Sequence, residues 1–164
     1  MPGDDHPSSS AVQLEAEVSI VAAASTILAV DLVRDRAITS IPVGNDAHVE
    51  VDGATRDRSV VVEAYARQGK LKGAQLKKIA QDILKLAVVK DECGRDETRA
   101  VIAFAAEDAL QSIGGWVREA ADRFGVELLT VEISAELRER IVAAQRRQVM
   151  VNGADLAGDV TVDE

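Results

Sequence analysis

From Ala11 to about Arg36 no Gly or Pro interrupts the chain, and apolar residues lie nearly all round a helical wheel. A segment that long and that uniformly apolar predicts a heavily buried helix. Ile38–Val43 reads as a short strand closed by the turn Gly44-Asn45-Asp46. His48-Val-Glu-Val-Asp52 then alternates polar and apolar with period two, and Ser59-Val-Val-Val-Glu-Ala-Tyr-Ala-Arg67 continues the pattern after a turn at 53–58. These two runs are expected to pair as a hairpin. The next helix spans Ala74 to about Lys90, with Leu76, Ile79, Ala80, Ile83, Leu86 and Ala87 forming one stripe. Arg99–Ala105 is a continuous apolar run, as in strands buried on both faces. Glu107–Phe124 reads as helix weakened at Gly114-Gly115, Val126–Ile133 as strand, and Ala135 to about Val149 as helix.

A hairpin joined to βαβ crossovers implies an α/β fold, a mixed sheet flanked by helices on both faces. The expected organisation is a disordered leader at 1–10, one domain at 11–151, and a flexible acidic tail at 152–164. Polar residues open the chain, and the longest uncharged run, Val18–Val30, has only 13 residues. That is too few to span a bilayer as a helix, so the expected setting is cytoplasmic, with no membrane partner.

Composition narrows the chemistry. With one cysteine (Cys93) and two histidines (His6 and His48), the chain can assemble neither a disulfide scaffold nor a Cys- or His-rich metal centre. Cys93 sits in an acidic loop, which disfavours a thiolate. Aromatics make up 2%, so the core must be built from Ala, Val, Ile and Leu, and base-stacking platforms are disfavoured. The net charge of −9 is unevenly spread. Glu63–Lys90 holds seven basic residues against two acidic ones, giving that segment +5 and the rest of the chain −14. A basic strand-to-helix segment in an acidic protein is a place for a phosphate backbone to dock, whether of DNA or of RNA.

On strands, alternate residues share a face. Asp52 and Glu63 fall opposite each other if the turn is centred near Asp57-Arg58, and their carboxylates then repel unless a cation lies between them. A divalent ion, Mg²⁺ or Mn²⁺, meets that need, with Asp52 and Glu63 as its ligands. The bland alternative is a wet hairpin face whose carboxylates pair with Arg56, Arg58 or Arg67.

The pattern Asp52, ten residues, then Val-Val-Glu63-Ala-Tyr65, between an apolar helix and a lysine-rich one, resembles the PD-(D/E)XK nuclease superfamily. The resemblance implies a restriction-endonuclease-like αβββαβ core, here with an extra C-terminal helix, and metal-dependent hydrolysis of phosphodiesters. It also implies an acidic residue and a Glu-x-Lys on adjacent strands. Tyr65 stands where the lysine belongs. Some members take the lysine from the following helix, where Gln75, Lys78, Asp82 and Lys85 form a polar stripe. The expected roles are Lys78 as the catalytic lysine beside Asp52 and Glu63, with Arg67, Lys70, Lys72 and Gln75 on substrate. The displaced lysine leaves two versions, an active enzyme and a catalytically degenerate one. The reading from a different class is a non-enzymatic interaction module, oligomeric through its apolar helices.

Overall fold

In a computed structural model, the structure describes residues 9–157. Helix α1 (Ser9–Leu28) is shorter than its apolar run. Ser25 Oγ donates to the Val30 carbonyl and accepts the Leu32 N–H (3.2 Å), drawing the chain out of the helical ladder. Ala29 adopts a left-handed φ of 53° where the chain turns. Val33 then makes an isolated antiparallel bridge to Ala54. One turn of helix, α2 (Arg36–Thr39), follows, its first free N–H groups capped by Asp35.

Strands β1 (Ser40–Val43) and β2 (Ala47–Glu50) form a separate antiparallel ribbon around the 44–46 turn. The main sheet has the order β3 (Gly53–Ala54), β4 (Val60–Tyr65), β5 (Arg99–Phe104), β6 (Val126–Thr130). β3 is antiparallel to β4, and β4, β5 and β6 are parallel. α3 (Gly73–Cys93) crosses from β4 to β5, and α4 (Glu107–Gln111) and α5 (Gly115–Phe124) from β5 to β6. The final helix is α6 (Ala135–Ala157).

The expected hairpin is thus corrected. His48–Glu50 pairs with β1, and only Gly53–Ala54 pairs with β4. The handover lies between two consecutive residues. The Val51 N–H bonds the Thr39 carbonyl at 3.1 Å, beside the ribbon, while the Asp52 N–H bonds Val62 at 3.0 Å, in the main sheet. Gly53 is demanded by packing: a Cβ there would lie 2.7 Å from Val21 Cγ1 of α1.

Helices cover both faces, as expected for the mixed α/β class. Val60, Val62, Val101 and Ala103 pack with α1 and α6; Val61, Ala100, Ile102 and Phe104 pack with α3 and α5. Ala100 through Phe104 are fully buried, so β5 is the central strand its unbroken apolar run implies. Ser9 and Ser10 of the expected leader lie in α1 and residues 152–157 of the expected tail in α6, whereas 1–8 and 158–164 lie outside the described residues.

A candidate carboxylate–lysine site

β4 begins as Val60-Val61-Val62, all buried, and its next residue is Glu63. Period-two geometry puts Glu63 on the same side as Val61 and Tyr65, facing α3. The register Gly53↔Val62 brings Asp52 opposite Glu63, as the sequence predicts. Asp52 Oδ2 accepts the Ala64 N–H at 2.8 Å, which fixes that carboxylate against β4.

Glu63 is only 5% exposed. Burial pushes its carboxyl up to about 8, and the neighbouring Asp52 charge adds to this, partly offset by the Lys85 ammonium. Lys85 reaches across from α3: its Nζ touches Glu63 Oε1 and donates to the Glu50 carbonyl at 2.8 Å. Glu63 Oε1 therefore already faces a cation, the Lys85 ammonium.

One turn along α3, Asp82 is 4% exposed and pairs with Lys78, whose side chain is half exposed. Asp82 is also felt by Tyr65. Burial raises the phenol, the Arg67 charge opposes that, and Asp82 adds to it. Tyr65 itself packs on Phe104, ring centroids 5.4 Å apart. The interface between β4 and α3, otherwise apolar, therefore carries a polar seam made of Glu63–Lys85 and Asp82–Lys78.

Several expected roles change. Lys85, not Lys78, meets Glu63, because Lys78 is engaged by Asp82 four residues on. Gln75 accepts the Lys72 N–H at 3.0 Å and so serves the start of α3. Arg67 lies beyond the end of β4 and lines a small cleft with Gln13 of α1 and Ile141 and Gln145 of α6, away from the carboxylate pair. Lys70 and Lys72 are exposed on the loop entering α3. His48 lies exposed on the ribbon, and Glu50 pairs with Arg36 at 2.9 Å. The arginine-paired alternative also fails at Arg58, whose guanidinium bonds the carbonyls of Ala37, Ile38 and Ser40.

The signal for Lys85 was present in the sequence. It belongs to the same polar stripe as Lys78, and only the packing of α3 against β4 decides which member reaches Glu63. Asp52 and Glu63 are the two carboxylates here that could hold a divalent ion, and the Lys85 ammonium already contacts Glu63. Among the described residues no three His, Cys, Asp or Glu side chains gather around a common point, so the rest of the shell would be water or substrate. The chain matches no protein-family model, no curated protein and no solved structure.

Proposed function

We propose that this protein is a divalent-metal-dependent nuclease-like phosphodiesterase of PD-(D/E)XK type, with Asp52 and Glu63 as metal ligands and Lys85 in place of the strand lysine. The observation that carries the reading is the Lys85 ammonium on Glu63, directly opposite Asp52. A carboxylate pair with one lysine is the donor set that the family resemblance calls for, and here the lysine comes from the following helix.

Mg²⁺ or Mn²⁺ at this pair would supply Lewis-acid assistance to a phosphodiester oxygen and a bound water of lowered pKa. Asp52 is held in place by the Ala64 N–H, so it offers a fixed ligand. Glu63 holds a proton at neutral pH, and that proton must leave before the carboxylate can bind metal. Lys85, tethered by the Glu50 carbonyl, keeps an ammonium beside the reacting phosphate to balance its charge. Lys70 and Lys72, exposed on the loop entering α3, give DNA or RNA a cationic approach in an acidic protein. A cytoplasmic setting suits such a substrate.

The second reading is a non-enzymatic interaction module built on a degenerate site. It is favoured by the near-complete burial of Glu63 and by large apolar side chains left exposed on α1, α3 and α5.

Titrating Mn²⁺ calorimetrically into the wild type, Asp52→Ala, Glu63→Gln and Lys85→Ala tests the metal site, followed by cleavage of duplex and single-stranded DNA and RNA. One-to-one binding abolished by either carboxylate change supports the proposal. Cleavage lost in Lys85→Ala but retained in Lys78→Ala would place the lysine. Metal binding without cleavage of any substrate supports the degenerate version, and no binding even with nucleic acid present sinks the metal reading.

A further inference from the structure

Lys85 is held at two points. Its Nζ touches Glu63 Oε1 and donates to the Glu50 carbonyl at 2.8 Å, so one ammonium joins α3, the end of β2 and β4. The Glu63 side chain is 7% exposed and that of Lys85 is 27% exposed, so the lysine is the open member of the pair. Glu63 Oε1 itself is closed to water. A buried carboxylate requires a cation or a proton beside it, and here the chain supplies the cation from its own helix. Two cations on one buried oxygen would repel at close range, with little water between them to screen the charge. We propose that the Lys85 ammonium stands in the place of the divalent ion at the Asp52–Glu63 pair, so that metal must displace it from Glu63 to complete the site. The inference rests on the metal reading above and adds to it a closed state held by the chain's own lysine.

The geometry favours exchange over coexistence. Asp52 is fixed, since its Oδ2 accepts the Ala64 N–H at 2.8 Å and the strand register sets it opposite Glu63. A metal that binds both carboxylates must therefore come to Glu63, whose Oε1 is already taken. Lys85 is free to yield. Its stem is long and flexible, and the Glu50 carbonyl still holds the ammonium once Glu63 lets go. A divalent ion also brings twice the charge to the same two carboxylates, which drives the exchange. Lys78 gives the contrast within one polar stripe. Its ammonium is paired with Asp82, so it does not stand in the metal's way.

Amine labelling of the folded wild type tests this without any substitution. The full chain is treated briefly with an acetylating reagent, with and without Mn²⁺ at a concentration that calorimetry shows to be saturating, and each lysine is read by mass spectrometry. Mn²⁺ should speed labelling of Lys85 by roughly ten-fold or more, since release of a charge-assisted hydrogen bond is worth a factor of that order. Lys78 and Lys70 should label at the same rate in both, because Lys78 sits on Asp82 and Lys70 is exposed. In Asp52→Asn the acceleration should disappear together with the metal. One-to-one binding with Lys85 labelling unchanged or slowed overturns the inference and leaves the metal reading standing. Where the wild type binds no metal, Lys85→Met decides, or Lys85→Gln should the first variant not fold. Binding in the variant alone supports the inference while overturning a metal-dependent activity of the wild type. No binding in either overturns both.

Discussion

Asp52 and Glu63 face each other across the β3–β4 ladder, yet they are held differently: Asp52 by the Ala64 N–H, Glu63 by a lysine from another layer. The pair is asymmetric in burial. Asp52 is half-buried, whereas Glu63 is sealed beneath α3 and held up at about 8. Replacing Asp52 with Asn removes the negative charge facing Glu63. The Glu63 titration should then move down, read by carbon-detected NMR of the side-chain carboxyl. A titration that does not move would mean that the Asp52 charge does not contribute to it.

Stability should depend on pH through Glu63. Its ordinary value is 4.5 and its folded value about 8, so the folded state binds the extra proton between them. Stability from this group is complete below 4.5 and falls as pH rises towards 8, by at most about 1.4 kcal/mol per pH unit. Urea unfolding midpoints should decline over that window in the wild type and stay flatter in Glu63→Gln.

Metal binding should be coupled to the same proton. Affinity for Mn²⁺ is expected to rise with pH up to about 8 and then level off as Glu63 ionises. Calorimetry at pH 7 in buffers of different ionisation enthalpy should report release of close to one proton per ion. Chelation should then return the proton.

Lys78→Ala should cost more than an ordinary exposed lysine, because it leaves Asp82 buried without its partner. We expect a loss of about 1–3 kcal/mol, and Lys78→Met with Asp82→Leu should recover most of it. Equal stability of wild type and Lys78→Ala in urea would show that Asp82 finds another partner.

Gly53→Ala should cost about 1–3 kcal/mol, since the new methyl would overlap Val21. Adding Val21→Ala should relieve most of the overlap, with the midpoint of the double variant above that of Gly53→Ala alone.

The sequence by itself determined what local chemistry controls. The unbroken apolar run of β5, the break between α4 and α5 before Gly115, and the turn that sets Asp52 opposite Glu63 all follow from side-chain type and period over a few residues. Tertiary structure alone decided what depends on which surfaces meet. His48–Glu50 has the right alternation for either sheet, and it joined β1 because the rungs pass from ribbon to main sheet between Val51 and Asp52. Lys78 and Lys85 share one helical stripe and are equivalent to any local reading. The seating of α3 on β4 gave one to Asp82 and the other to Glu63, since a side chain's partner is set by which atoms packing brings within reach.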